Sequence, residues 1–168
     1  MRINCIKTGF TKGFTIIEFL IYIAILAIAI AGMGLILSNI FRVGVRTDVI
    51  QEVSHNGRFA MQRIGQAVRE SSDIVEPATE GNVLELSFED EDKDPTVFDV
   101  SEGKLRIKEG SGNYIELTTS SVIVDRLVFK KVSDDSVKVE MNISFDNSQG
   151  LPEHEFKSFF TSSFALRN

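Results

Sequence analysis

The chain has one cysteine, no tryptophan, three prolines and two histidines among its 168 residues. The single cysteine, Cys5, has no partner for an intramolecular disulfide, so a hydrophobic core must hold the fold together. A lipoprotein signal is not expected either, because the four residues before Cys5 are too few to form an apolar segment. His55 and His154 have no cysteine or carboxylate at the spacing of a metal site.

Charge is almost absent from one long segment. Between Phe14 and Leu37 the only charged residue is Glu18, and nearly all others are Ile, Leu, Ala, Phe or Gly. As a helix this segment would be about 36 Å long, enough to cross the hydrocarbon core of a bilayer. A long apolar run followed by an acidic, polar body predicts a membrane-anchored protein.

Residues 1–13, before the apolar run, contain three cations and no acid: Arg2, Lys7 and Lys12. Positively charged flanks stay on the cytoplasmic side, so we expect a cytoplasmic amino end and an extracytoplasmic body. Removing these three charges changes the formal net charge from -6 to -9. Such an acidic body makes nucleic acid an unlikely partner, although a local basic patch is left open.

The apolar run has three interpretations. It could be a secretory signal peptide, for which Ala29-Ile30-Ala31 offers a small-x-small cleavage site, or a plain single-pass anchor. Both leave Glu18 unexplained, since a carboxylate near the membrane centre costs about 2.5 to 3.5 kcal/mol on insertion scales. The third interpretation rests on the residues around that glutamate.

Those residues read Lys12-Gly13-Phe14-Thr15-Ile16-Ile17-Glu18. They resemble the cleavage signature of type IV prepilins and pseudopilins. The resemblance implies that a prepilin peptidase cuts after Gly13 and N-methylates the new amino terminus, Phe14. It also implies that Glu18, the fifth mature residue, meets the amine of a neighbouring subunit and sets the stagger between subunits.

Helical periodicity continues beyond the apolar run. One apolar face is formed by Ile50, Val53, Gly57, Met61, Ile64 and Val68. No proline occurs between Phe14 and Glu76, so one helix from about 14 to 73 is predicted. Gly32 and Gly34 weaken that helix and are candidates for a place where it bends or melts in a filament.

After Pro77 the pattern changes to short alternating runs separated by turn residues. These runs cover 83–88, 96–100, 104–108, 114–118, 122–129, 137–145 and 155–166. Six or seven strands in an antiparallel meander, covered on one face by the amphipathic helix, predict an α+β fold.

The order of these runs, and the closing residues 160–168, resemble PilW-type minor pilins and the J-type pseudopilins of type II secretion. The predicted organisation is therefore a basic leader, a transmembrane and assembly helix, an amphipathic continuation and a β-rich head. Their bounds are 1–13, 14–37, 38–76 and 77–168.

An acidic loop is the one candidate metal site. Asp90, Asp92 and Asp94 have the alternate spacing of the start of an EF-hand loop. Pro95 stands where that loop needs glycine, however, and Ser101 stands where it needs a bidentate glutamate. A solvated hairpin loop is the favoured interpretation, with calcium left open.

No Gly-x-Ser-x-Gly, Walker or dinucleotide-binding motif occurs, so no enzyme activity and no cofactor are expected. The predicted function is that of a structural minor pilin or pseudopilin, whose partners are prepilin peptidase, other subunits, the inner-membrane assembly platform and lipid. The alternative is a membrane-anchored extracytoplasmic binding module. The cations that leave nucleic acid open are Lys104, Arg106, Lys108, Lys130 and Lys131.

Overall fold

The computed structural model describes residue 13 and residues 15–167. Its helix, α1, spans Ile16–Glu70, slightly inside the predicted range of 14–73. The chain divides into two compact units, with the boundary between residues 41 and 42. The first unit contains the start of α1, and the second contains the rest of α1 and every described strand.

In the first unit, the span Ile16–Gly34 is apolar and long enough to cross a membrane. Its mean hydropathy is 2.5, and none of it is buried within the structure. Large side chains along it are exposed; Ile16, for example, is 83% exposed and Ile28 is 74% exposed. Length and composition therefore agree with a membrane-spanning segment.

In the second unit, α1 buries one face against the sheets. The buried residues of this face include Val49, Val53, Asn56, Ala60, Met61, Ile64, Ala67 and Val68. The prediction was wrong about Ile50, which is 37% exposed. Val49 starts the buried series instead, because it lies one helical turn before Val53, whereas Ile50 is rotated about 100° away.

The strands form two antiparallel sheets, which confirms the α+β fold. Their bounds are β1 Asp73–Glu76, β2 Glu80–Gly81, β3 Leu84–Ser87, β4 Thr96–Ser101, β5 Lys104–Glu109, β6 Ile115–Glu116, β7 Val122–Ser133, β8 Ser136–Phe145 and β9 Lys157–Ala165. The first sheet has the order β1-β3-β4-β5-β6 and the second the order β2-β7-β8-β9. The largest fully buried side chains include Phe98 of β4 and Phe129 of β7.

The described chain thus has nine strands in two sheets rather than six or seven in one meander. The two missed strands, β1 and β2, have four and two residues and lack the alternation that marks a strand. Glu80 and Gly81 lie outside every predicted run, but they pair with Lys130 and Phe129 of β7. Such pairing joins residues far apart in the sequence, so local patterns do not reveal it.

The edge strand β9 packs against α1 through two aromatic rings. A Cβ added at Gly57 would overlap the Phe160 ring, and one added at Gly65 would overlap the Phe164 ring. The two glycines are about 12 Å apart along the helix and the two rings about 13 Å apart along the strand. Because the spacing of the glycines matches that of the rings, each ring lies over one glycine. Only a residue without a side chain fits beneath it.

Polar contacts fix the loop between β6 and β7 on the same helix. The Asn56 amide oxygen accepts from the Thr119 backbone N–H at 2.9 Å, and the Glu52 carboxylate accepts from the Thr119 hydroxyl at 2.7 Å. Asn56 is 2% exposed, so its side chain depends on these bonds. The helix and the loop that connects the two sheets are therefore joined directly.

Candidate functional site

The predicted assembly carboxylate lies in the first turn of α1, where a threonine caps the helix. The Thr15 hydroxyl accepts from the Glu18 backbone N–H at 3.3 Å. The Thr15 carbonyl accepts from the Phe19 N–H at 3.2 Å. The Thr-x-x-Glu spacing is that of a capping box, and an acid in the first turn interacts favourably with the helix dipole.

The side chain of Glu18 has a partner one turn further along the helix. The Tyr22 hydroxyl donates to Glu18 Oε1 over 3.1 Å. Among the residues that the structure describes, no donor is seen for the second carboxylate oxygen, Oε2. Within residues 15–167, Glu18 thus has one carboxylate oxygen hydrogen-bonded and the other without a donor.

Thr15, Glu18 and Tyr22 form what we call the polar stripe. They fall at positions i, i+3 and i+7, which lie on one face of a helix. The remaining side chains of Ile16–Gly34 are apolar or absent, and Ile17 and Phe19 beside the stripe are 68% and 60% exposed. The stripe is consequently the polar feature of an otherwise apolar surface.

Glu18 was predicted from the sequence, whereas its partners Thr15 and Tyr22 were not. The spacing was a visible signal for both, because Thr15 precedes Glu18 by three residues and Tyr22 follows it by four. The predicted cleavage position is only partly described. Gly13 is exposed, and Phe14 lies outside the described residues.

The predicted flexible glycines, Gly32 and Gly34, lie inside α1, which is helical at both positions. A Cβ added at either one meets no atom within 4 Å. Packing within the described part of the chain therefore requires neither glycine. Bending or melting there on assembly stays a prediction.

The acidic loop uses its carboxylates as turn acceptors. Asp94 Oδ1 accepts from the Ser87 hydroxyl at 2.9 Å and from the Phe88 N–H at 3.0 Å. Asp90 Oδ1 accepts from the Asp92 N–H at 3.1 Å. Within residue 13 and residues 15–167, no group of three or more His, Cys, Asp or Glu side chains is arranged to hold a metal ion.

The cations of β5 are occupied by other groups of the head. Lys104 donates to the carbonyls of Thr119 and Val122, at 2.7 and 2.6 Å. Arg106 forms two hydrogen bonds to the Asp99 carboxylate, at 2.9 and 2.7 Å. These bonds raise the pKa of the Arg106 guanidinium above its usual range.

Tyr114 covers part of the same cluster. Its ring centroid lies 4.1 Å from the Arg106 guanidinium carbon and 5.9 Å from Lys108 Nζ. Lys104, Arg106 and Lys108 of β5 therefore make contacts within the head. These contacts make the three cations less available to bind the phosphates of a nucleic acid.

One comparison with known families covers the segment that contains the polar stripe. Residues 9–34 match the model of the prokaryotic N-terminal methylation motif. This motif supports a type IV pilin-like family for the chain. The motif in general implies processing by prepilin peptidase and assembly with other pilin subunits, and it points to a structural subunit. Together with the apolar helix it fits a membrane-anchored protein.

The match ends at residue 34 and does not reach the head. A search of curated proteins and a search of solved structures each returned no match to the chain. The proposed likeness of the head to PilW-type minor pilins or J-type pseudopilins accordingly stays a prediction.

Proposed function

We propose that the chain is a minor pilin or pseudopilin, a structural subunit of a type IV pilus, a type II secretion pseudopilus or a competence filament. Prepilin peptidase cleaves it after Gly13 and N-methylates Phe14. The observation that carries the proposal is a methylation motif, residues 9–34, whose apolar helix displays a single carboxylate, Glu18.

The chemistry of that carboxylate supports a role in assembly. Cleavage creates a positive amine at Phe14, and Glu18 is the only charge of opposite sign in the segment 14–37. In hydrocarbon an unpaired ion is costly, and a hydrogen-bonded pair of opposite charges reduces that cost. We propose that Glu18 of one subunit pairs with the amine of its neighbour and so sets the register between subunits.

The other parts of the chain each have a place in this pathway. The leader, residues 1–13, faces the cytoplasm, and residues 14–37 span the bacterial cytoplasmic membrane until the assembly platform inserts the subunit into a filament. Residues 38–76 continue the helix onto the head, residues 77–168, which is extracytoplasmic. Gly32 and Gly34 are where the helix bends or melts on assembly.

The test replaces Glu18 with alanine and measures both steps of the pathway. Glu18→Ala should be cleaved and methylated like the wild type, but its amount in sheared filaments or isolated pseudopili should fall at least about tenfold, since a charge pair in an apolar environment is lost. Glu153→Ala, which removes a carboxylate of the head, is the matched control and should assemble normally.

Normal incorporation of Glu18→Ala would contradict the proposal. It would favour the alternative, a membrane-anchored binding module, which needs neither a carboxylate in its anchor nor contact between subunits.

A further inference from the structure

The apolar segment of this chain carries its polar groups in one place. From residue 14 to residue 37, the polar side chains are those of Thr15, Glu18 and Tyr22, and they form the polar stripe. Two hydrogen bonds connect them, from the Glu18 N–H to Thr15 and from the Tyr22 hydroxyl to Glu18. Only a minority of the positions in this segment lie on the same helix face as Glu18, so a tyrosine placed at random would usually lie on another face.

Helix geometry explains why Tyr22 reaches Glu18. Side chains of a helix point back toward its amino end, so a long residue covers the turn before its own Cα. Tyr22 lies four residues after Glu18, and its phenol extends over that turn to bring the hydroxyl 3.1 Å from Oε1. Thr15 has a different contact with Glu18, since its hydroxyl accepts from the Glu18 backbone N–H.

The contact matters most where water is absent. A polar group without a partner in hydrocarbon costs several kcal/mol, so both the phenol and the carboxylate gain from their bond. A hydrogen bond to an ionised acceptor is about twice as strong as one between neutral groups. The bond also fixes which oxygen is occupied, since Oε1 receives the phenol and, among the described residues, Oε2 receives no donor.

We propose that Tyr22 is a positioning residue for Glu18. Its hydroxyl holds the carboxylate on the stripe face of α1 and leaves Oε2 to accept from the amine of a neighbouring subunit. The hydrogen bond itself is a property of the single chain, whereas its use in assembly rests on the proposed function.

The hydrogen bond can be tested without reference to assembly. The chain has two tyrosines, Tyr22 and Tyr114, and no tryptophan. Tyr114→Phe therefore leaves Tyr22 as the sole tyrosine, and the tyrosine doublet in a resonance Raman spectrum then reports the hydrogen-bonding state of one hydroxyl. The measurement uses the full mature chain in lipid vesicles.

In Tyr114→Phe we expect the doublet of a strong donor. Adding Glu18→Ala should shift the doublet toward that of a weak donor, because the acceptor is gone. An unchanged doublet would overturn the proposal, since it would show that the hydroxyl does not donate to Glu18.

The positioning role is tested by the amount of protein in filaments. Tyr22→Phe removes one hydroxyl and keeps the ring, so it should be processed normally but assemble about tenfold less, as expected for losing a bond to a charged group. Tyr114→Phe is the matched control and should assemble like the wild type. Equal assembly of the two variants would overturn the positioning role.

The two failures are distinguishable. If Glu18→Ala assembles normally, the proposed function fails whatever the Raman spectra show. If Glu18→Ala fails to assemble while Tyr22→Phe assembles fully, the proposed function stands and Tyr22 has no positioning role.

Discussion

The start of α1 and the head differ in the exposure of their apolar side chains. In the span Ile16–Gly34 nothing is buried, and isoleucines such as Ile28 are largely exposed. In the second unit, Phe98 and Phe129 are completely buried between helix and sheets. The head therefore contains its own core, whereas the apolar helix needs lipid or other subunits to cover its surface.

Glycines show the same contrast. Gly57 and Gly65 lie directly beneath aromatic rings of β9, so the fold requires the missing side chain at both positions. Gly32 and Gly34 have open space around them. Gly57 and Gly65, in the second unit, are thus explained by packing within one chain, whereas Gly32 and Gly34 in the apolar span are not.

The largest expected effect breaks the head while leaving the apolar helix intact. Phe98→Ala should lower the free energy of unfolding of the head by about 3 to 5 kcal/mol, because it removes a fully buried ring and leaves a cavity. Denaturant unfolding of the full chain in detergent measures it. Phe159→Ala is the control, since that ring is 58% exposed, and should change stability by less than about 0.5 kcal/mol. A Phe98→Ala loss as small as the control's would contradict the assigned core.

A smaller effect should separate the two pairs of glycines. Gly65→Ala should destabilise the head by about 1 to 2 kcal/mol, because overlap with the Phe164 ring outweighs the better helix propensity of alanine. The double variant Gly65→Ala, Phe164→Leu replaces the ring with a smaller aliphatic side chain and should recover part of the lost stability. Gly34→Ala, in the same unfolding assay, should leave the head unchanged. Equal effects of Gly65→Ala and Gly34→Ala on stability would contradict the difference in packing between the two pairs of glycines.

The smallest effect concerns a carboxylate on the outer side of β8. Glu140 lies 2.8 Å from Lys138 Nζ and 3.2 Å from Lys130 Nζ, two lysines that face each other across β7 and β8. Hydrogen bonds from Lys138 and then Lys130 lower the pKa of Glu140 below its ordinary value of 4.5. Its contribution to stability is therefore present above pH 4.5 and is lost as the pH falls through the lowered pKa.

Glu140→Gln should accordingly lower the Tm slightly at pH 7, and the difference from the wild type should shrink as the pH falls below 4.5. Thermal unfolding at a series of pH values measures this, with Glu155→Gln as a control. A Tm difference that stays constant down to about pH 2 would contradict the electrostatic origin.

Local patterns predicted the parts of the fold that local physics determines. The apolar run, the long helix and the alternation of β3, β4, β5 and β8 follow from periodicity. The split into two sheets does not, because it depends on contacts such as the Thr119 loop on Asn56 and β2 on β7, which join distant residues. β2 is too short to carry a pattern at all.

The candidate site was also only partly predictable from the sequence. Glu18 was identified because a charge in an apolar run is visible in the sequence, and the methylation motif covers that position. Tyr22 was missed because a single tyrosine in a long apolar run gives no signal until its hydroxyl is seen beside the carboxylate. The i, i+4 spacing of Glu18 and Tyr22 was visible in the sequence, but the contact depends on the Tyr22 side chain pointing back toward the amino end of the helix.

The amino terminus of the protein purified from membranes tests the central claim most directly. Intact mass and terminal-peptide mass spectrometry should find a chain that begins at Phe14 and carries one additional methyl group. A chain that begins at Gly32, or that retains Met1 in cells containing the peptidase, would contradict processing as a pilin-like subunit.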